Sequence, residues 1–100
     1  MIYIAKINWI KPENGGRKSP IPFNTDRYAP RIVLDHNIGN WSLVVNNFTF
    51  LDNFVTLAEI NYLNRDNAPN NLYVGCKFEL YEGAKKVATG LITDIKDENS

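Results

Sequence analysis

The stretch KFELYEGAKKVATG, residues 77–90, decides the fold. On its first arm Phe78 and Leu80 alternate with Lys77, Glu79 and Tyr81, the period of a strand with one buried face. Between the arms stands Glu82-Gly83-Ala84-Lys85. Glycine at the first central position of a two-residue loop is the signature of a type II′ hairpin, because that position requires positive φ. The spacing predicts two antiparallel strands, YVGCKFELY (73–81) and KKVATGLITDI (85–95), joined by a tight turn.

The same period recurs upstream. In IYIAKINWI (2–10), Tyr3, Ala5, Ile7 and Trp9 share one face and Ile2 and Ile4 the other. RIVLD (31–35) and WSLVV (41–45) are separated by His36-Asn37-Ile38-Gly39-Asn40, which reads as a turn. FVTLAEINYL (54–63) sets Thr56, Ala58, Ile60 and Tyr62 against Val55, Leu57 and Leu63, and NRDNAPNN (64–71) then breaks the strand. No stretch sustains the three-and-four spacing of a long amphipathic helix. About six strands joined by short turns predict an all-β fold, a small six-stranded antiparallel β-barrel, since closure removes the vulnerable edges of an open sheet. The 100 residues suffice for one domain, placed at 1–96. In DIKDENS the pattern gives way to charge, and 97–100 reads as a frayed, solvated tail.

Eleven basic and eleven acidic residues leave the chain neutral. A protein that neutralises many phosphates carries excess positive charge or a concentrated basic face, so neutrality argues against a general nucleic-acid binder. There is no apolar run of membrane-spanning length, and Met1 leads straight into strand alternation rather than a signal pattern. The expectation is a soluble, cytoplasmic protein with no membrane contact.

Catalytic chemistry finds no residues to carry it. Cys76 is the single cysteine, and its place in the alternation makes it a small buried hydrophobe rather than a reactive thiol. His36 is the single histidine, which excludes a multi-histidine metal centre, and Asp35 beside it points to the opposite strand face. Ser19 and Ser42 have no histidine partner, and no paired carboxylates project into one cleft. Asp94, Asp97 and Glu98 fall in the tail, which cannot fix metal geometry. No catalytic residue, metal or cofactor is expected, and the chain is not read as an enzyme.

NGGRKSPIPF (14–23) places two glycines beside two cations and a serine. A phosphate-cradling loop needs Gly-Lys-Ser/Thr opening a helix, whereas here Arg17 precedes Lys18 and Pro20 follows Ser19. GTP binding is not expected.

In order along the chain, these landmarks resemble the third domain of elongation factor Tu, a six-stranded β-barrel. Gly15, Gly16, Arg17, Lys18, Ser19 and Pro20 are similar to that family's Gly-Gly-Arg-His-Thr-Pro. Tyr28, Ala29, Pro30 and Arg31 resemble its Tyr-Arg-Pro-Gln, and Leu51, Asp52 and Asn53 its Gly-Asp-Asn. Residues 77–90 resemble its closing Arg-Phe-Ala-Ile-Arg-Glu-Gly-Gly-Arg-Thr-Val-Gly-Ala-Gly. The resemblance implies that the glycine pair ends the first strand and that the cations and prolines cross one rim of the barrel. It also implies that this rim and the Glu-Gly hairpin form a contact surface, which in the family meets the tRNA backbone. Carried over, the candidates are Arg17, Lys18, Ser19, Gly83 and Lys85. The family's His-Thr is Lys18-Ser19 here, and its second hairpin glycine is Ala84. No counterpart of the GTPase domain or second barrel lies in these residues.

Two functions fit. One is a stand-alone module acting through a protein partner, as a translation-factor mimic or an immunity or antitoxin-like protein, with the aromatic FTFLDNF segment (48–54) at its interface. The other is a translation-related module that holds tRNA phosphates through the Arg17 and Lys85 rim. For Phe48, Phe50 and Phe54 the competing expectation is that at least two of them fill the core.

Overall fold

The computed structural model describes residues 2–18, 28–34, 37–63 and 72–96. Its strands are β1 (Ile2–Trp9), β2 (Arg31–Leu34), β3 (Asn37–Asp52), β4 (Val55–Tyr62), β5 (Lys77–Glu82) and β6 (Lys85–Lys96), with a short 3₁₀ turn at Pro12–Asn14. All neighbours pair antiparallel, and the order β1-β4-β3-β2-β5-β6 closes on itself as a six-stranded barrel. Closure leaves every strand with two neighbours, so the backbone polar groups of the wall are satisfied from both sides.

Alternation builds the wall as the sequence predicts. In β4 every second residue, from Thr56 to Tyr62, is buried, and in β1 Tyr3, Ala5, Ile7 and Trp9 face the same interior. Register sets inward residues opposite one another, as with Tyr3 and Ile60 or Ala5 and Ala58. Ile7, Leu43, Ile60, Phe78, Leu80 and Ile92 are all within 2% of complete burial. Each such side chain contributes roughly 1.5–3 kcal/mol over leaving it in water. Gly90 belongs to this packing. A Cβ there would lie 2.2 Å from Phe78 Cζ, so the absent side chain is the space that the ring occupies.

The topology also decides what happens at the two ends. β1 and β2 are separated by two strands whichever way round the barrel one counts, yet β1 ends and β2 begins at the same mouth. The two ends of the connection between them therefore lie at that mouth, on opposite sides of the ring. β4 and β5 stand in the same relation at the other mouth. Two buried residues from these connections sit at the ends, Tyr28 at the first mouth and Leu72 at the second. The turns of the β3–β4 and β5–β6 hairpins lie at the first mouth.

Three expectations need correction. Residues 37–40 are strand rather than turn: Asn37 already pairs with Leu34, and ladder pairing overrides the turn preference of asparagine and glycine. Asp35 and His36 lie outside the described residues, as do 64–71. Tyr73 and Val74 precede β5 in a turn closed by the bond from Cys76 N–H to the Tyr73 carbonyl, 3.0 Å, which leaves Val74 half exposed. Asp94 to Lys96 remain in β6, paired with Ile2 to Ile4 of β1, while 97–100 lie outside the described residues. Cys76 is 1% exposed, as its alternation predicts. No helix among the described residues is long and apolar enough to cross a membrane.

Candidate functional site at the hairpin mouth

The site begins where β1 stops. Trp9 N–H donates to the Phe54 carbonyl at 2.8 Å and Ile10 N–H to the Val87 carbonyl at 2.9 Å, which ties the end of β1 to both neighbouring strands. Pro12 then opens the 3₁₀ turn, where its missing N–H costs nothing. The chain folds back tightly after Asn14. Gly16 N–H bonds the Lys11 carbonyl at 3.0 Å, and a Cβ on Gly16 would sit 1.9 Å from the Ile10 carbonyl oxygen. Only glycine permits that approach, and the reversal sends Arg17 across the mouth.

Arg17, Tyr28 and Glu82 meet there. Glu82 Oε2 accepts the Tyr28 hydroxyl at 2.5 Å and forms an ion pair with Arg17, whose Nε lies 2.5 Å away. The Arg17 guanidinium also lies over the Tyr28 ring, 5.3 Å from its centroid, and that ring stands 6.0 Å from Trp9. Burial pushes the Tyr28 phenol well above its usual range. The hydrogen bond to Glu82 and that carboxylate's charge add to the rise, and Arg17 opposes it. The phenol stays neutral and remains a donor. Below it, Trp9 Nε1 donates to Thr56 Oγ1 at 3.0 Å, so both buried polar groups are satisfied.

A second cluster flanks the β5–β6 turn. The Arg31 guanidinium stacks 4.9 Å from the Tyr81 ring centroid and points one nitrogen at the Gly83 carbonyl, 3.4 Å away. Glu79 accepts from Tyr81 at 3.2 Å and from Lys86 at 3.1 Å. The β3–β4 turn carries the third group. Lys11 lies over the half-buried Phe54 ring at 5.2 Å, and Asp52 accepts the Asn53 N–H at 2.7 Å. Phe50 and Leu51 beside them are 57% and 52% exposed.

Arg17, Lys18, Gly83 and Lys85 all fall at this mouth, and Ser19 lies outside the described residues. Glu82 is what joins the loop to the hairpin, through Arg17. Lys18 and Lys85 are exposed. Of the three phenylalanines, Phe48 packs against the core, 6.0 Å from Trp9, while Phe54 is half buried and Phe50 exposed. The expectation that two of them fill the core fails because β3 bulges between Asn46 and Thr49, with Asn47 at φ 53°, and again between Phe50 and Asp52. Each extra residue resets which side chains face inward.

Sequence reading missed Tyr28, Arg31 and Glu82 as site residues. Glu82 carried only a turn signal, and nothing local pairs it with a tyrosine 54 positions away. Elsewhere, shallow depressions of about 260 and 300 Å³ lie on the outer wall, the first beside Glu59 and Asn61, the second beside Asn8, Glu79 and Thr89. Compared with protein-family models and with curated proteins, the chain matches none.

Proposed function

We propose that this chain is a non-catalytic binding module, similar to the third domain of elongation factor Tu, that acts in the cytoplasm through a protein partner, as a translation-factor mimic or an immunity or antitoxin-like protein. The observation that carries this reading is the contrast at the hairpin mouth. Its arginines are engaged by the rim itself, Arg17 on Glu82 and Tyr28, Arg31 on Tyr81 and the Gly83 carbonyl, while Phe50 and Leu51 face solvent. Arginine is the side chain best suited to fork a phosphate, and here neither points away from the protein without a contact. Adjacent exposed apolar side chains beside a polar rim are instead the makings of a protein interface.

A tRNA-binding role has one observation in its favour: Lys18 and Lys85 are exposed at the same mouth. A tRNA titration separates the two. At about 0.15 M salt the protein reading expects no saturable tRNA binding below the micromolar range, since so few phosphate contacts release few counterions. Submicromolar binding, abolished by the double change Lys18→Ala with Lys85→Ala, would replace the protein reading with the RNA one.

A further inference from the structure

The β3–β4 turn is a prepared surface. Its backbone is tied to β1 by the Trp9 N–H to Phe54 carbonyl bond, and within the turn the Asp52 carboxylate accepts the Asn53 N–H. A tip held in this way loses little freedom when something binds to it. It carries Phe50 and Leu51, consecutive in the chain and both more than half exposed. Single exposed apolar residues are ordinary, but a fixed adjacent pair with a cation-covered aromatic ring behind it is an anchor.

The charge around this tip has a sign. Lys11, Arg17, Lys18, Arg31, Lys85 and Lys86 surround the mouth against Glu13, Asp52, Glu79 and Glu82. Three of the carboxylates are already occupied: Glu82 by Arg17 and Tyr28, Glu79 by Lys86 and Tyr81, and Asp52 by the Asn53 N–H. Among the described residues, Lys11, Lys18 and Lys85 have no carboxylate partner. The mouth of a neutral chain is thus left with unneutralised ammonium groups.

We propose that an acidic, apolar segment of the partner protein docks here, with one aliphatic or aromatic side chain on Phe50 and Leu51 and carboxylates on Lys11, Lys18 and Lys85. The inference rests on the protein-partner reading above and gives that partner its chemistry. A second copy of this chain does not fit face to face, because mouth against mouth would oppose like charges. Nucleic acid fits less well, because the three lysines left here without a carboxylate partner among the described residues would release few counterions.

The test uses fluorescein-labelled twelve-residue peptides in three compositions, Asp/Glu with Leu/Phe, Ser with Leu/Phe, and Lys with Leu/Phe, with tRNA as a fourth probe. Anisotropy should show the acidic apolar peptide binding at least about tenfold more tightly than either other peptide and weakening as salt rises. Leu51→Ser and Lys11→Glu, both surface changes checked by thermal melting, should each weaken it by about tenfold or more. Equal binding of all three peptides, or no loss with Leu51→Ser, overturns the proposal. So does tRNA binding that falls with Lys11→Glu but not with Leu51→Ser, or a dimer in sedimentation that Leu51→Ser dissolves. If the acidic peptide fails while native purification still yields an RNase-resistant protein partner, this surface is wrong and the module reading stands. If both fail, both fall.

Discussion

Glu82 Oε2 accepts a hydrogen bond from Tyr28 and pairs ionically with Arg17, and that single atom links both residues to the β5–β6 hairpin. Removing the phenol as Tyr28→Phe leaves the ring stacked between Arg17 and Trp9 but deletes one hydrogen bond, at a cost of about 1 kcal/mol. Chemical denaturation at neutral pH measures it. The same variant has a pH signature. The folded phenol is held above its ordinary value, so below the unfolded pKa of about 10 the contribution of Tyr28 is fully present. Above about pH 10 the unfolded chain releases a proton that the folded chain keeps, and wild-type stability falls by about 1.4 kcal/mol per pH unit relative to the phenylalanine variant. The wild-type advantage should close and then reverse near about pH 11. A difference that stays constant from pH 8 to 11.5, ranges set by the phenol's reference value of about 10, would mean that Tyr28 ionises freely in the folded state.

At the scale of elements, the β5–β6 hairpin turns on Gly83, whose φ is 62°. Gly83→Val puts a β-branched side chain in the left-handed region and should destabilise the protein by about 1–2 kcal/mol. Gly90→Ala tests packing rather than backbone. Its Cβ would collide with the buried Phe78 ring, and overpacking of this kind costs about 1–3 kcal/mol. An unchanged melting temperature for either variant would show that the hairpin, or the ring beneath it, is placed wrongly. The elements differ in how far the sequence reveals them. β1, β4 and the β5–β6 hairpin are readable because their alternation is unbroken and Gly83 marks the turn. β3 is only partly readable, since asparagines and Gly39 at 37–40 look like a turn, whereas Asn37 already pairs with Leu34 and the register to β2 is irregular from there to Trp41. Its two bulges against β4 then leave Phe50 more than half exposed. The candidate residues Arg17, Gly83 and Lys85 were reachable through an ordered likeness to a known barrel. The contact of Tyr28 with Glu82 was not, because a hydrogen bond between residues so far apart leaves no periodic trace.

Across the whole molecule, strand order brings the end of β1, the start of β2 and two hairpin turns to one mouth. That convergence makes the hairpin mouth the place where charge, aromatic stacking and exposed apolar surface come together. Its arginines serve the barrel and its lysines and apolar tip face outward, which is why a protein partner is the preferred reading over RNA. Arg17→Ala should therefore act mainly on stability, through loss of the Glu82 pair and the Tyr28 stack, while Lys85→Ala leaves the melting temperature nearly unchanged. A thermal scan of the two single variants distinguishes them, and equal melting temperatures would remove the structural role given to Arg17. The most direct measurement is native purification from the source cells with and without RNase, followed by mass spectrometry of what remains bound and a repeat with Leu51→Ser. A defined protein that survives RNase and is lost from the Leu51→Ser variant is the expected result. Recovery of tRNA alone, with every associated protein removed by RNase, would contradict it.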